Sequence, residues 1–374
     1  MTTTRLSRRG FAKILGRGAA FAALQPSIVL SRPGLRLVKE ASNAADVRLS
    51  ANENPYGPSP LALKAMTDAF DLAWRYPDEY EQALVGALAK TSGVSTSQIL
   101  LGNGSSEILK VAAAAFTSPN KKLVIANPTF EAVSAYAGAA QAKVVKVDLT
   151  RDYAHDLAKM ATAANEAGLI YICNPNNPTA SITPKDEIPG FLAKVPSQTI
   201  VLIDEAYHHY VESKDYESVI PLVKQYPNLI VARTFSKIYG MAGLRCGFCV
   251  TRPELIQSMR AQQSWDSLNI MALVAATASL QDAEQVEQGR RRNSDVKKYV
   301  CSELDRLGFR FIPSHANFLM IDLRREVRPI IAAMRDRKVE VGRVFPALPN
   351  FMRVTIGTRP QMETFLSVFR EVVS

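Results

Sequence analysis

Short, continuously apolar runs separated by helical patterns are the feature that most restricts the fold of this chain. Six such runs occur between residues 76 and 270, at Lys122–Ala126, Lys143–Val147, Leu169–Cys173, Ile200–Ile203, Leu229–Ala232 and Cys246–Val250. Several are apolar throughout, as expected of strands that helices cover on both faces of a mainly parallel sheet. The pattern therefore predicts an α/β fold with a large domain at residues 76–270.

The pattern changes from Met271 onward. A long helical stretch reaches about residue 307, and two short strands, a helix and a further strand follow it, at Phe309–Ile312, Phe318–Ile321, Val327–Arg337 and Met352–Ile356. This order predicts a smaller α+β domain at residues 271–374. Residues 46–75 are predicted to form an N-terminal arm, because the segment from Val47 to Pro60 is rich in Asn, Pro and Gly and unsuited to a regular element.

Residues 1–45 are predicted to be a targeting signal or a disordered N-terminus. Ser7-Arg-Arg-Gly-Phe-Ala-Lys13 precedes a modestly apolar stretch, Ile14 to Leu30, which is too short and too interrupted to span a membrane. The segment resembles a twin-arginine export signal, which implies a periplasmic protein. The alternative is an amphipathic extension or a misassigned start codon, and the protein would then be cytoplasmic.

The formal net charge of +10 does not indicate a nucleic-acid partner. Residues 1–48 hold nine Lys and Arg against two Asp and Glu, so they contribute +7 of that total. A nucleic-acid-binding domain would carry its basic excess on the folded part of the chain. No stable membrane insertion is predicted either, because no other segment is a transmembrane candidate.

The cysteines and histidines predict neither a disulfide framework nor a metal site. Cys246 and Cys249 lie three positions apart on a predicted strand, so their side chains face opposite sides of the sheet. The four histidines show no pair spaced four residues apart with an acid between them. Redox and metal chemistry are therefore not expected.

Four polar segments next to the apolar runs indicate one phosphate-bearing ligand. Arg233–Gly247 holds Lys237 in a glycine-rich turn, with an arginine eight residues later that can reach a phosphate. Gly102–Glu107 precedes a helical run, so its backbone N–H groups favour an anion. Asn174–Thr179 and Asp204–Tyr207 each follow an apolar run, at the strand ends where open α/β sheets bind ligands.

These segments resemble the fold type I pyridoxal phosphate enzymes, and among them the class I/II aminotransferases of the histidinol-phosphate aminotransferase-like family. The resemblance extends from about Leu49 to Thr358. It is carried by the four segments above and by five others, Asn52–Pro60, Arg75–Pro77, Pro128–Phe130, Ala316–Phe318 and Met352–Gly357. It implies a fold type I pyridoxal phosphate-dependent transferase, with pyridoxal 5'-phosphate as the cofactor.

The resemblance also implies roles in cofactor binding. Lys237 would carry the cofactor and act as the base that moves a proton on the substrate. Asp204 would pair with the pyridine nitrogen, Tyr207 and Asn177 would hydrogen-bond the ring oxygen, and Phe130 would stack on the ring. The residues expected to hold the phosphate are Ser105, Ser106, Glu107, Ser236 and Arg245. Tyr76 would reach the phosphate of a neighbouring subunit, which implies a homodimer with shared active sites.

The expected substrate residues lie in the arm and the smaller domain. Arg353 would bind the substrate's carboxylate or phosphate through bidentate geometry, with Asn317 shaping the same pocket. Tyr56 would close over the substrate or pack at an interface. Arg343 is offset by one residue from the usual place of a second substrate arginine. Ala180 replaces the glycine that ends the family's turn motif, and a backbone adjustment is expected there.

The implied reaction is a ping-pong transamination from an amino donor to a 2-oxo acid. A lyase or decarboxylase is the alternative on the same scaffold. A non-catalytic relative, such as the aminotransferase-like domain of a transcription regulator, would need an N-terminal helix-turn-helix module, which residues 1–48 do not supply. The resemblance suggests histidinol phosphate with 2-oxoglutarate as substrates, whereas export favours a free amino acid or an envelope-associated amine.

Overall fold

The computed structural model describes residues 46–374, and the predicted apolar runs form strands within them. The strands are β1 (Val47–Arg48), β2 (Ile99–Asn103), β3 (Lys122–Asn127), β4 (Val144–Asp148), β5 (Ala167–Cys173), β6 (Ile200–Asp204), β7 (Leu229–Thr234), β8 (Cys246–Val250), β9 (Arg310–Ile312), β10 (Phe318–Asp322), β11 (Val339–Glu340) and β12 (Phe351–Thr355). The α-helices are α1 (Pro60–Asp68), α2 (Asp78–Ser92), α3 (Ser105–Phe116), α4 (Ala132–Ala139), α5 (Leu157–Thr162), α6 (Glu187–Lys194), α7 (Pro253–Arg260), α8 (Ile270–Gln281), α9 (Ala283–Arg306), α10 (Arg328–Asp336) and α11 (Arg359–Val373).

Seven strands form the central mixed sheet, in the order β2-β8-β7-β6-β5-β3-β4. The pairs from β4 through β3, β5 and β6 to β7 are parallel, whereas β8 runs antiparallel to both of its neighbours. The predicted α/β fold with a mainly parallel sheet is therefore confirmed. The edge strand β2 was not among the predicted strands, and it leads directly into α3.

Helices cover both faces of this sheet, which explains the continuously apolar strands. Every residue of β5 and β6 is buried, and side chains of alternate residues belong to two separate apolar clusters. Ile170 and Ile172 lie in one cluster, and Leu169 and Tyr171 lie in the other. Full burial of a large apolar side chain stabilises the fold by about 1.5–3 kcal/mol. A shift of either strand by one residue would move every side chain to the opposite face, so this burial fixes the register of the two strands.

A second, antiparallel sheet of three strands has the order β12-β10-β9 and packs with α9, α10 and α11. The predicted long helical stretch before it is divided into α8 and α9 at Asp282. Asp282 has φ −98° and ψ 75°, and its side chain accepts a hydrogen bond from the backbone N–H of Gln285, so it caps α9. An N-cap aspartate ends one helix and begins the next because its side chain replaces a missing helical acceptor.

The N-terminal arm is anchored to the C-terminal part of the chain, where it forms a separate sheet of two strands. Its only regular element among the described residues before α1 is β1, which pairs in parallel with β11 through Val47 and Val339. The next residues are irregular, yet Leu49 and Asn52 are almost fully buried. Residues 46–374 form one compact unit, and the division at residues 75 and 270 stays a prediction.

The predicted export signal at residues 1–45 lies outside the described residues. From residue 46 to the C-terminus, none of the helices combines the length and apolar character needed to cross a bilayer.

Candidate active site

A cavity of about 350 Å³ opens at the carboxyl ends of β5, β6 and β7. It is bordered by eleven of the residues predicted for the site: Ser105, Ser106, Phe130, Asn177, Asp204, Tyr207, Ser236, Lys237, Arg245, Arg343 and Arg353. The charged residues around it are four cations and two acids, Asp204 and Glu53. A site with this cationic excess suits an anionic ligand.

Lys237 lies in the turn after β7 and points its amine at the arm. Its Nζ donates to the carbonyl oxygen of Asn52 at 2.9 Å and to that of Ala51 at 3.3 Å. Burial, and then the positive charge of Arg353, lower the pKa of Lys237 to about 8. The amine is therefore partly neutral near physiological pH, as a nucleophile or base requires.

The turn that carries Lys237 depends on a close backbone approach. The N–H of Gly240 donates to the carbonyl of Lys237 at 3.0 Å. Gly240 has φ +68°, and a Cβ there would lie 2.2 Å from the backbone of Gly57 in the arm. Only glycine satisfies both conditions, so the turn and the arm hold each other in place.

Asp204 ends β6 and is 3% exposed. Its Oδ2 accepts from the hydroxyl of Tyr171 at 3.0 Å, and its Oδ1 accepts from the backbone N–H of Ala206 at 3.1 Å. Burial raises the pKa of Asp204 to about 6, against the lowering effect of these two hydrogen bonds. The carboxylate is ionised at neutral pH and fixed in orientation at the floor of the cavity.

Tyr207 presents its hydroxyl to two amide side chains. The hydroxyl accepts from Nδ2 of Asn52 at 3.1 Å and from Nδ2 of Asn177 at 3.5 Å. Burial raises the pKa of Tyr207 above its ordinary value, so the phenol remains protonated and can donate. The Tyr207 ring packs edge-on against Phe318 with 5.2 Å between centroids, which fixes the position of the hydroxyl.

The turn from β2 into α3 forms a cradle with the shape of a phosphate site. Gly104 has φ +73°, and a Cβ there would lie 2.3 Å from Nη2 of Arg245. A Cβ at Gly247 would lie 2.3 Å from the backbone nitrogen of Ser105. The two glycines thus let Arg245 and β8 lie directly against the start of α3, and Ser105, Ser106 and Arg245 all border the cavity. Helix N–H groups and an arginine together bind phosphate, so the cradle fits the phosphate group of the implied cofactor.

Glu107 has a different place from the one predicted. Its carboxylate accepts from the backbone N–H of Asn103 at 2.7 Å and from the Ser267 hydroxyl at 2.8 Å. Its own backbone N–H donates to the carbonyl of Gly104 at 3.2 Å. Glu107 does not border the cavity, and its contacts brace the cradle from behind.

Arg353 on β12 reaches the cavity from the second sheet. Its Nη1 donates to Oδ1 of Asn177 at 2.8 Å and its Nη2 to the carbonyl of Ser50 at 2.7 Å. Among the described residues, its buried Nε has no hydrogen-bond partner. A buried guanidinium N–H without a partner is costly, and an anionic substrate group in the cavity would satisfy it.

Arg343 lies at the cavity margin and is paired with an acid. Its Nη2 lies 2.6 Å from Oε2 of Glu131, and the side chains are 53% and 60% exposed. Its guanidinium stacks 4.4 Å from the ring centroid of Phe345, whose ring also lies 5.1 Å from Arg353. Phe345 therefore contacts both arginines.

Three other predicted residues do not border the cavity. Asn317 is buried behind it and donates to the carbonyls of Asn52 at 3.1 Å and Glu53 at 3.3 Å. Tyr56 is 42% exposed and lies under the guanidinium of Arg292. Tyr76 is 77% exposed.

Sequence reasoning missed several residues of the cavity. In the sequence Asn52 is only part of a motif, although in the structure it contacts Tyr207, Lys237 and Thr355. Its φ of 54° is the left-handed conformation that asparagine tolerates. Phe345 borders the cavity, and Tyr171 lies behind it with its hydroxyl on Asp204. Neither carries a sequence signal, because aromatic residues in apolar segments normally indicate core.

Ala180, which stands where the family's turn motif has glycine, adopts a left-handed backbone conformation. Its φ is 59°, and its N–H donates to the carbonyl of Asn176 at 2.7 Å. The alanine therefore carries left-handed strain itself, and the expected backbone adjustment stays a prediction. Such strain persists where surrounding hydrogen bonds fix the backbone.

Known proteins with similar sequences are aminotransferases. Residues 44–369 match the family described as Aminotransferase class I and II. A histidinol-phosphate aminotransferase of Moorella thermoacetica is 40% identical over 332 residues, which span 88% of this chain and 86% of that protein. One of Brevibacillus brevis is 38% identical over 331 residues, spanning 88% of this chain and 90% of that protein.

A solved structure adds the cofactor to this comparison. Histidinol-phosphate aminotransferase of Sinorhizobium meliloti in complex with pyridoxal-5'-phosphate has a TM-score of 0.84 and 25% identity, covering 95% of this chain and 99% of that one. The fold and the site define a fold type I pyridoxal phosphate-dependent transferase. The chain belongs to the class I and II aminotransferase family and is a pyridoxal phosphate-dependent transaminase.

Proposed function

We propose that the cavity is the site at which this aminotransferase moves an amino group from an amino donor to a 2-oxo acid, through the residues described above. The observation that carries this assignment is the meeting of Lys237, Asp204 and Arg245 on one cavity. Bound pyridoxal phosphate would supply the electron-accepting ring on which proton transfer at the substrate depends. The remaining chemistry belongs to the side chains of this chain.

Lys237 would hold the cofactor covalently and then move a proton at the substrate Cα. Its lowered pKa supports both tasks, because an amine with a pKa of about 8 is neutral in a useful fraction of molecules at neutral pH. Its two backbone acceptors in the arm keep the amine at the cavity surface. The reacting groups would thus meet with little further loss of conformational entropy in the lysine side chain.

Asp204 would pair with the ring nitrogen and keep it protonated, since a buried carboxylate stabilises a neighbouring positive charge strongly. Tyr207 would donate to the ring oxygen, and Asn177 would donate to the same atom. Phe130, at the cavity wall, would stack on the ring. Each of these contacts would restrict the orientation of the ring plane. That orientation decides which bond at the substrate Cα is activated.

The cradle would hold the cofactor phosphate. Ser105 and Ser106 would donate backbone N–H groups from the first turn of α3, and Ser106 could add its hydroxyl. Ser236 and Arg245 would complete the set, with Arg245 supplying a charge-assisted fork. Glu107 would contribute indirectly, through the bonds that brace this turn.

Arg353 would bind the carboxylate or phosphate of the substrate, and its unpartnered Nε supports this role. Histidinol phosphate is one candidate donor, because the relatives from Moorella thermoacetica and Brevibacillus brevis are named for it. A free amino acid is the second candidate. The pairing of Arg343 with Glu131 favours it, because that arginine is not offered alone to a second anionic group. Asn317 would position the arm beside the substrate, and Tyr56 would close the entrance.

We also propose that the enzyme is a homodimer. Tyr76 and Trp74 are 77% and 76% exposed, and Phe70 nearby is 53% exposed. Large exposed aromatic side chains close together are typical of protein interfaces. A second copy of the chain would cover them, and Tyr76 would then reach the phosphate of the partner site. Sedimentation analysis of the Y76A variant, with its cofactor affinity, tests both parts.

Two further proposals concern the organisation of the chain. Residues 1–45 would direct twin-arginine export to the periplasm, and replacement of both Arg8 and Arg9 by Lys should then leave the protein in the cytoplasm.

Residues 76–270 and 271–374 would act as a large cofactor-binding and a small substrate-binding domain. Limited proteolysis near residue 270 tests that division.

Borohydride reduction followed by peptide mass spectrometry tests the assignment of Lys237 directly. We expect the cofactor mass on the peptide that contains Lys237 and its loss in the K237A variant. Lys297 is the internal control, since it is also a partly buried lysine with a pKa lowered by burial, but its amine donates to the carbonyl of Ser314. Labelling of Lys297 in place of Lys237 would overturn the assignment.

A further inference from the structure

A tyrosine in the core of the central sheet is bound to the acid at the floor of the cavity. The Tyr171 hydroxyl donates to Oδ2 of Asp204 at 3.0 Å, and the Tyr171 side chain is fully buried. The other carboxylate oxygen of Asp204 accepts from the N–H of Ala206. Within residues 46–374, each oxygen of Asp204 thus has one hydrogen-bond donor.

The sheet register explains how Tyr171 reaches Asp204. In the parallel pair of β5 and β6, Cys173 is the partner of Asp204 and Tyr171 is the partner of Leu202. Side chains two positions apart on a strand share a face. Tyr171, Cys173 and Leu202 accordingly belong to the same apolar cluster. The Tyr171 ring lies on the face of the sheet that Asp204 shares.

Packing alone does not account for the hydroxyl. A phenylalanine would fill nearly the same volume in this apolar cluster, without a polar group to bury. A buried hydroxyl lowers stability unless it forms a hydrogen bond, and the partner of this one is the Asp204 carboxylate. A hydrogen bond to a charged group is stronger than one between neutral groups, so the Tyr171 hydroxyl acts on Asp204 in addition to the packing of its ring.

We propose that Tyr171 is a positioning residue for the aminotransferase reaction, which keeps Asp204 ionised and directs its carboxylate toward the ring nitrogen of the cofactor. This inference rests on the role proposed above for Asp204. Tyr171 would act only through Asp204, because it does not border the cavity.

The charges around Asp204 set the direction of the effect. The ionisable groups that act on the pKa of Asp204 are Tyr171, Glu205 and Lys237. Asp204 in turn raises the pKa of the groups that face it, Cys173, Tyr207 and Tyr216. Burial raises the pKa of Asp204 to about 6, Glu205 raises it further, and Tyr171 and Lys237 lower it. The pKa of Tyr171 lies well above its ordinary range because of burial, so the phenol remains a donor throughout neutral pH. Loss of its hydroxyl should therefore raise the pKa of Asp204 and leave more of it neutral at pH 7.

The test compares Y171F with Y226F. Tyr226 is a matched control, because its hydroxyl also donates internally, to the carbonyl of Pro189 at 3.1 Å, but outside the cavity. In the apoenzyme, the side-chain carboxyl of Asp204 is titrated by ¹³C NMR, with D204N identifying its signal. In the holoenzyme, the dissociation constant for pyridoxal phosphate is measured against pH.

For Y171F we expect the Asp204 midpoint to rise by about one pH unit. The ionised fraction of Asp204 at pH 7 then falls from about nine tenths to about one half, so the dissociation constant at pH 7 should rise about twofold. Y226F should match the wild type in both. Replacement of Tyr171 by 3-fluorotyrosine keeps the ring and strengthens the donor, so it should lower the midpoint. If Y171F folds poorly, the fluorotyrosine variant still tests whether the Tyr171 hydroxyl affects the titration of Asp204.

The outcomes separate two claims. If Y171F and the fluorotyrosine variant keep the wild-type midpoint and affinity while D204N loses affinity, the inference about Tyr171 is overturned and the role of Asp204 stands. If D204N binds the cofactor as tightly as the wild type does, the proposed role of Asp204 is overturned, and the inference about Tyr171 with it.

Discussion

The amine of Lys237 donates a 2.9 Å hydrogen bond to the carbonyl oxygen of Asn52, a residue 185 positions earlier in the chain. Asn52 in turn donates its side-chain amide to the hydroxyl of Tyr207 at 3.1 Å. Through Asn52, the N-terminal arm thus connects the amine that would bind the cofactor with the phenol that would hydrogen-bond it. The arm is part of the site and does more than cover it.

Replacement of Asn52 should weaken both the fold and the site. N52A removes the buried bonds to Tyr207 and Thr355 and leaves alanine at φ 54°, which asparagine tolerates better. We expect the free energy of unfolding in urea to fall by about 1–3 kcal/mol and cofactor affinity to fall with it.

Two further variants separate the contributions at this position. N52G keeps the backbone conformation and loses only the side-chain bonds, so it should retain more stability than N52A. N350A changes an exposed asparagine outside the cavity and should resemble the wild type. Equal stability and affinity in N52A and N350A would contradict this role of Asn52.

The rate of cofactor loading should follow the titration of Lys237. Burial and Arg353 lower the pKa of this amine to about 8, and only the neutral amine attacks a carbonyl. Loading of apoenzyme should therefore become faster as the pH rises from 6 and level off above about pH 9. R353Q removes a positive charge and should move the midpoint upward. Stopped-flow absorbance measures the rate, and a rate still rising at pH 10 would indicate an ordinary lysine.

A methyl group at Gly104 should disturb phosphate binding specifically. The added Cβ would lie 2.3 Å from Nη2 of Arg245 and displace the guanidinium. We expect G104A to raise the dissociation constant for pyridoxal phosphate at least about tenfold, since the strain is about 1–3 kcal/mol. G93A is the control, because Gly93 has a similar φ of +65° with open space around it. Both variants should lose stability. An equal loss of cofactor affinity in G93A would contradict the proposal that the cradle binds the cofactor phosphate.

Release of Arg343 from Glu131 should change substrate preference. In E131Q, Arg343 is free to meet a second anionic group, so KM for phosphorylated or dicarboxylic substrates should fall and kcat should stay constant. The pair is exposed, which limits the gain to about fivefold, or about 1 kcal/mol. E363Q breaks an exposed ion pair with Arg359 outside the cavity and should change nothing. An equal change in KM for neutral donors would show that charge at Arg343 is not the cause.

The central sheet could be predicted because its strands are buried on both faces. Continuous apolar runs such as those of β5 and β6 are direct consequences of that burial, and the polar residues at their ends converge because the strands are parallel. Asp204 and Asn177 were therefore placed correctly at one edge of the sheet. The break between α8 and α9 was missed, because Asp282 differs little from an exposed helical residue in sequence.

Contacts over long separations could not be predicted from local patterns. The bond from Arg353 to Asn177 spans 176 residues, and the one from Asn317 to Asn52 spans 265. Each depends on where the second sheet and the arm lie relative to the central sheet. The role of Tyr171 could not be predicted for another reason. Tyr171 lies within a continuous apolar run, and such a run predicts core packing for all of its side chains.

Transamination at this site is tested most directly by the absorbance spectrum of the holoenzyme during titration with single amino donors, including histidinol phosphate and aromatic, basic and small aliphatic amino acids. We predict that at least one donor converts the band of the Lys237-bound cofactor to that of the pyridoxamine form, with release of the matching oxo product. A band that persists with every donor, or carbon dioxide released without the pyridoxamine form, would contradict transamination at this site.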